Sequence, residues 1–302
     1  MESTHKGKKN KVSATETASL CNNISVGVDG SDGSHNAVEL IVQDYHRKGL
    51  DKLTVIHISD SKHDHDKGHQ FNTKFIFNHY NDYLKKHLNQ EDYEIVFEER
   101  KENESLFEQV YEIASSKNAN LLVIGFRGVS GNTTRPDNLT NGIKYLVHKP
   151  LIPCLVVKEK VHREYRTEGG FKWLVCIESA ESKSFKAFLH ILRYVDAEND
   201  IIHGFSVDMK DGNSKKVEEA FKEQCKKNGV LKSEFSTIQK EEKDNIKHAI
   251  HTWVEEHLRN ENHFIDFIVL GYNPQKYNFN KEASNTTVDI LKDLSVNVFF
   301  DH

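Results

Sequence analysis

Leu121-Leu122-Val123-Ile124-Gly125-Phe126-Arg127-Gly128 is a run of four apolar residues that opens into a glycine-punctuated loop. A short continuous apolar run bounded by turn signals suits a strand buried on both faces, and such strands belong to parallel sheets. The same phrase returns as Ile268-Val269-Leu270-Gly271-Tyr272, at an offset of 146 residues. On its N-terminal side, strand-like runs at 24–28, 53–58 and 93–97 alternate with helical spacing at 33–48, at 72–88 and through Leu106, Val110 and Ile113. On its C-terminal side come a short helix near 141–148 and a strand at 152–157. The order βαβαβαβαβ predicts a mainly parallel five-stranded sheet with helices on both faces, an α/β fold.

The order then restarts. Strands at 173–177, 201–206, 233–238, 267–270 and 296–300 alternate with helices at 181–195, 213–228, 243–259 and 284–293. Ile58-Ser59-Asp60 falls on Ser206-Val207-Asp208, an offset of 148. A near-constant offset in conserved order predicts a tandem repeat of a domain of about 145 residues. The expected organisation is a disordered tail at 1–21, a first domain at 22–158, a charged linker at 159–170 and a second domain at 171–302.

Composition narrows the function. The chain has 302 residues, 37% hydrophobic and 29% charged, with a mean hydropathy of −0.65. Its apolar runs have strand length, far short of the roughly 20 residues a membrane span needs. The formal net charge of −5 comes from interspersed acidic and basic residues, so no basic footprint for nucleic acid stands out. The four cysteines are widely spaced and form no CxxC, which suits a reducing cytosol. Residues 1–20 are polar with no apolar core, and position 2 is Glu. Neither a secretory signal nor a myristoylation site is expected, and the expected location is cytoplasmic.

Open parallel sheets bind ligands beyond the C-terminal ends of their strands, where strand order reverses. Val28-Asp29-Gly30-Ser31-Asp32-Gly33-Ser34 follows the first strand, and Asp29 can accept hydrogen bonds from a ribose hydroxyl or an adenine amine. Gly125-Phe126-Arg127-Gly128-Val129-Ser130-Gly131 follows the fourth, and its glycines let backbone N–H groups approach phosphate. Taken singly, each also reads as an ordinary turn, with Ser31 or Ser34 capping the next helix.

Together, these segments resemble the universal stress protein family in its tandem form. The resemblance rests on Ile24-Ser25-Val26-Gly27-Val28-Asp29-Gly30-Ser31, Val55-Ile56-His57-Ile58, Leu122-Val123-Ile124-Gly125-Phe126-Arg127-Gly128 and Ile152-Pro153-Cys154-Leu155-Val156-Val157. It implies two Rossmann-like (adenine nucleotide alpha hydrolase-like) domains. It also implies bound ATP with Mg and a pseudo-dimer formed within the chain through the last strand of each domain. By the resemblance, Asp29 contacts ribose or base, and Ile58 lines the adenine pocket through its backbone. Gly125 and Gly128 open the family's Gly-x2-Gly-x9-Gly-Ser/Thr loop. Here the closing pair falls on Thr140-Asn141, with eleven intervening residues instead of nine. Thr140 and Asn141 retain hydrogen-bonding capacity, and Arg127 and Arg135 lie in the same loop to pair with phosphate.

In the second half, Asp29 is matched to Ile177 and Gly128 to Pro274, which has no N–H to offer, while Glu178 repels phosphate. Residues 171–302 are expected to hold no nucleotide and to pack against the first domain or another protein. The expected role is regulatory adenine-nucleotide binding in a stress response. It is not enzymatic, beyond slow incidental hydrolysis. The alternative is a non-enzymatic interaction scaffold with both sites degenerate. Either accommodates a homo-oligomer or a larger assembly.

Other constellations read as structural. His57, His63, His65 and His69 are dense in ligand chemistry but have no spacing that fixes a metal geometry, and no metal site is expected. Neither a GxSxG elbow nor a GxGxxG fingerprint is present. Cys154 and Cys176 read as core thiols, and the stripe Ile246, Ile250, Trp253, Val254, His257 as a buried helix face.

Overall fold

The computed structural model describes residues 21–60, 72–126, 143, 145–146, 152–166, 169–208, 213–239, 246–258, 265–271, 290–292 and 294–301. The first half runs β1 (Asn23–Gly27), α1 (Asp32–Leu40), β2 (Lys52–Ser59), α2 (Thr73–His87), β3 (Tyr93–Glu99), α3 (Leu106–Ser116), β4 (Leu121–Gly125) and β5 (Cys154–Val157). The second half runs β6 (Lys172–Cys176), α4 (Lys183–Ile191), β7 (Ile201–Asp208), α5 (Asn213–Lys227), β8 (Lys232–Gln239), α6 (Ile246–Leu258), β9 (Phe267–Gly271) and β10 (Asn297–Asp301). The helix expected at 33–48 ends early as an α-helix. It continues as one π turn, Ile41–Tyr45, closed by His46 N–H donating to the Ile41 carbonyl.

All described strands join one sheet in the order β3-β2-β1-β4-β5-β10-β9-β6-β7-β8. Every pairing is parallel except β5 with β10, where Leu155 lies opposite Phe299. Val123 pairs with Leu155 just as Val269 pairs with Phe299, so those two residues are equivalents. A pseudo-twofold axis therefore passes through their pair. Period-two alternation assigns each strand's side chains to two layers. Val26, Val55, Val123, Leu155, Val175 and Phe299 pack under α1, α2, α4 and α5, while Ile124, Val156, Ile268, Val298 and Phe300 pack under α3 and α6. Burial on both faces explains why these strands read as unbroken apolar runs. No helix among the described residues is long and apolar enough to cross a membrane.

The segment read as a charged linker is packed into the fold. Val161 and His162 are buried, and the His162 Nδ1 lies 2.9 Å from Asp44 Oδ2. The Arg163 guanidinium forks onto Asp200 through Nε and Nη2 at 2.9 and 2.8 Å, donates to the Tyr194 and Asp44 carbonyls, and lies over the Phe171 ring. Asp200 is wholly buried and also accepts from Phe171 N, Trp173 Nε1 and Asp196 N. A buried carboxylate so surrounded needs its cation, and Arg163 supplies it while binding the π turn of the first half to the second.

Candidate ligand-binding site

In the first half, β1 lies between β2 and β4, and chain order reverses across β1 and β4. At their C-terminal ends stand Asp29 and Gly125. The β1–β2 register pairs Gly27 with Ile56, so two residues further on Ile58 comes level with Asp29. His57 is buried beside them with its Nδ1 2.9 Å from the Val28 carbonyl.

Asp29 turns the chain into α1. Its Oδ1 accepts from Ser31 N at 3.1 Å and from Ser31 Oγ at 2.6 Å, and Gly30 takes φ +83°, which only glycine adopts without strain. Ser31 then caps α1, accepting from Ser34 N. Ser34 is buried under the loop, with its hydroxyl 2.9 Å from the Ser31 carbonyl, 3.2 Å from the Tyr80 hydroxyl and 3.4 Å from Asp29 N. Burial pushes the Tyr80 phenol well above its ordinary value, so it stays protonated and able to donate. An anionic carboxylate before a helix N-terminus also meets the positive end of the dipole. Asp29 is only half-buried, which leaves it at a surface a polar ligand can reach.

Gly125 has a packing reason to be glycine. A Cβ there would fall 2.5 Å from the Gly33 carbonyl carbon and 2.8 Å from Ser34 N, inside the first turn of α1. Gly271 repeats the contact, its Cβ position lying 2.0 Å from Ser184 N. The glycine thus lets each half press a helix start against the end of the neighbouring strand. This explains why Gly271 survives where the rest of the glycine loop does not.

The second half departs from the residue matching above. Val28 N donates to the Ile56 carbonyl and Ile177 N to the Phe205 carbonyl, each at 2.8 Å. Ile177 is therefore the counterpart of Val28, and the counterpart of Asp29 is Glu178. By the same pairs Ile58 aligns with Val207, an offset of 149 instead of 148. Glu178 is exposed, and its N–H donates to Ser184 Oγ at 2.9 Å, as Asp29 does to Ser34. One extra residue separates Glu178 from that serine, and the carboxylate leaves the capping arrangement that Asp29 keeps.

Of the expected site residues, Asp29, Ile58 and Gly125 come together at one end of the sheet. Arg127, Gly128, Thr140 and Asn141 lie outside the described residues, as do Arg135, His63, His65 and His69. Among the described residues no group of three or more His, Cys, Asp or Glu can hold a metal ion. Tyr80 has no place in the sequence reading, and Ser34 enters it only as a candidate helix cap. The available signal was Ile76-Tyr80-Leu84 at helical spacing, because a buried tyrosine asks for a partner for its hydroxyl.

A doubly wound sheet with its crevice at β1 and β4 defines a Rossmann-like α/β protein. Residues 21–158 match the Universal stress protein family. Among solved structures, a universal stress protein from Archaeoglobus fulgidus DSM 4304 is similar at 15% identity and TM-score 0.63, over 93% of this chain and 98% of its own. A putative universal stress protein from Pseudomonas aeruginosa UCBPP-PA14 is similar at 14% identity and TM-score 0.57, over 95% and 94%. A functionally unknown protein from Pseudomonas aeruginosa PAO1 gives 13% identity and TM-score 0.58 over 95% and 94%. At such identities the likeness is one of fold. No curated protein sequence matches the chain.

Proposed function

We propose that the chain is a cytoplasmic, non-catalytic regulator of stress response whose first half binds an adenine nucleotide and whose second half binds none. The observation that carries this reading is the placement of Asp29 beside the ends of β2 and β4 at the reversal of strand order. There a half-buried carboxylate can accept from ribose hydroxyls, and the backbone of Ile58 offers an edge to adenine. The phosphates, with Mg, extend toward the loop that holds Arg127, Gly128, Thr140 and Asn141. In the second half, Glu178 is exposed and outside the arrangement that Asp29 keeps with Ser31, and Pro274 lacks an N–H to offer a phosphate. The two halves join through β5 and β10, and the second serves as a packing partner or as a surface for other proteins.

Thermal unfolding with ATP, ADP and AMP, with and without Mg, tests the reading. Ligand at 100 times its Kd stabilises by about 2.7 kcal/mol. A rise in Tm that Asp29→Ala abolishes supports it, and an unchanged Tm with every nucleotide refutes it.

A second reading has its own observation: the Asp29 carboxylate is already engaged with Ser31 in capping α1. In a scaffold with both sites degenerate, Asp29→Ala costs only the support it gives the Ser31 cap, about 1 kcal/mol, and leaves the protein's cellular function intact.

A further inference from the structure

Next to the Ser34–Tyr80 contact, α1 and α2 meet through two histidines. His35 Nδ1 and His79 Nε2 face each other at 3.2 Å. We propose that His35 and His79 form a two-histidine site for a divalent transition ion of the Zn2+ class, clamping α1 to α2. Zn–N bonds of about 2.0–2.1 Å in tetrahedral geometry set two ligand nitrogens about 3.3 Å apart, so both rings are already at ligating separation. Without an ion, the contact needs one proton between the two nitrogens. Binding moves that proton to the far nitrogen of its own ring, so both rings stay neutral with one lone pair each on the metal.

The surroundings suit a ligand pair. The far nitrogen of His35, Nε2, lies 3.5 Å from Glu39 Oε1. A carboxylate behind a ligating imidazole fixes its tautomer and raises its basicity. Lys160 holds Glu39 from the other side at 2.6 Å, which neutralises that carboxylate's second oxygen. Tyr83 packs edge-on against the His35 ring, and Phe75 stacks along His79, so both rings are oriented by their neighbours. Asp32 stands one turn before His35 on the same face of α1 and adds negative field. His79 is exposed, which leaves room for water to complete the coordination. Imidazole nitrogens favour Zn, Cu and Ni over Mg or Ca, so the site excludes the hard cations.

The chain has 18 histidines, so stoichiometry must be assigned by variant. Calorimetric titration of the full chain with Zn2+ near neutral pH is expected to lose one equivalent in His79→Gln and in His35→Gln. Each variant should bind that equivalent at least about tenfold more weakly, about 1.4 kcal/mol. His63→Gln/His65→Gln/His69→Gln combined should keep it. Imidazole NMR of the unaltered protein gives a second readout that needs no substitution: Zn2+ should shift the His35 and His79 rings. The proposal is overturned if wild type takes up no Zn2+, if His79→Gln matches wild type, or if the triple variant removes all uptake.

Discussion

Replacing Arg163 by alanine removes more from this fold than its place in a charged surface-like segment suggests. The guanidinium side chain is 14% exposed and its partner Asp200 0%. Two of its nitrogens serve the Asp200 carboxylate, and the others reach the Tyr194 and Asp44 carbonyls. After truncation Asp200 keeps its three N–H donors but loses its only forked cation contact among the described residues, and stays wholly buried. Breaking a buried pair by removing one partner costs about 3–5 kcal/mol, because the remaining charge is uncompensated. In a chain of this size that lowers Tm by about 1.5–2 °C per kcal/mol. Urea unfolding followed by tryptophan fluorescence suits the measurement, since Trp173 donates to the same carboxylate. Arg163→Lys should recover less than half of the loss, because an ammonium cannot reproduce the fork. A double-mutant cycle with Asp200→Asn should show coupling above about 1 kcal/mol. A loss in Arg163→Ala below about 1 kcal/mol, typical of an exposed pair, refutes the reasoning.

Two further outcomes follow from the described contacts. Gly125→Ala and Gly271→Ala should each destabilise by about 1–3 kcal/mol in thermal melts, since both force a helix start away from a strand end. Equal stability of Gly271→Ala and wild type contradicts the packing role. Acid should weaken the fold through Asp51. Burial alone raises this carboxyl, but the Arg47 side chain and the N–H groups of Asn22 and Arg47 outweigh it and hold the group below its ordinary 3.8. Its contribution is therefore complete above the unfolded value and disappears as pH falls through the lower folded one. The urea midpoint of wild type should drop between about pH 5 and pH 3 more steeply than that of Asp51→Asn. Parallel slopes count against it.

The strands were legible because burial on both faces leaves an apolar run with no polar alternation to confuse it, as in Leu121–Gly125. The parallel order followed from the alternation with helices. Asp29 and Gly125 were legible as strand-end residues, yet their structural duties were not. The contact of Gly125 with Gly33 depends on backbone approach across about 90 residues of chain, and the bonds from Ser31 to Asp29 depend on Gly30 at φ +83°. The matching of Asp29 to Ile177 failed because an apolar run fixes a strand's presence without fixing its register, and the loop after β6 is one residue longer. The segment 159–170 reads as a charged linker because its charges look unpartnered locally. The partners of His162 and Arg163 are Asp44 and Asp200, 118 and 37 residues away. The π turn that carries Asp44 and Tyr45 left no mark in the helical spacing.

The antiparallel join of β5 to β10 fixes the valence of this molecule. In a parallel α/β unit the last strand is an open edge with unpaired N–H and C=O groups, ready for a second copy. Here each half has spent that edge on the other, at an effective concentration set by a short tether instead of by expression level. The sheet's free margins are β3 and β8, and β3 carries Glu94, Glu98 and Glu99, like charges that oppose edge-to-edge growth. With β3 so guarded, what remains open to a further copy or another protein is the β8 margin and the helical faces, where the two halves no longer present the same residues.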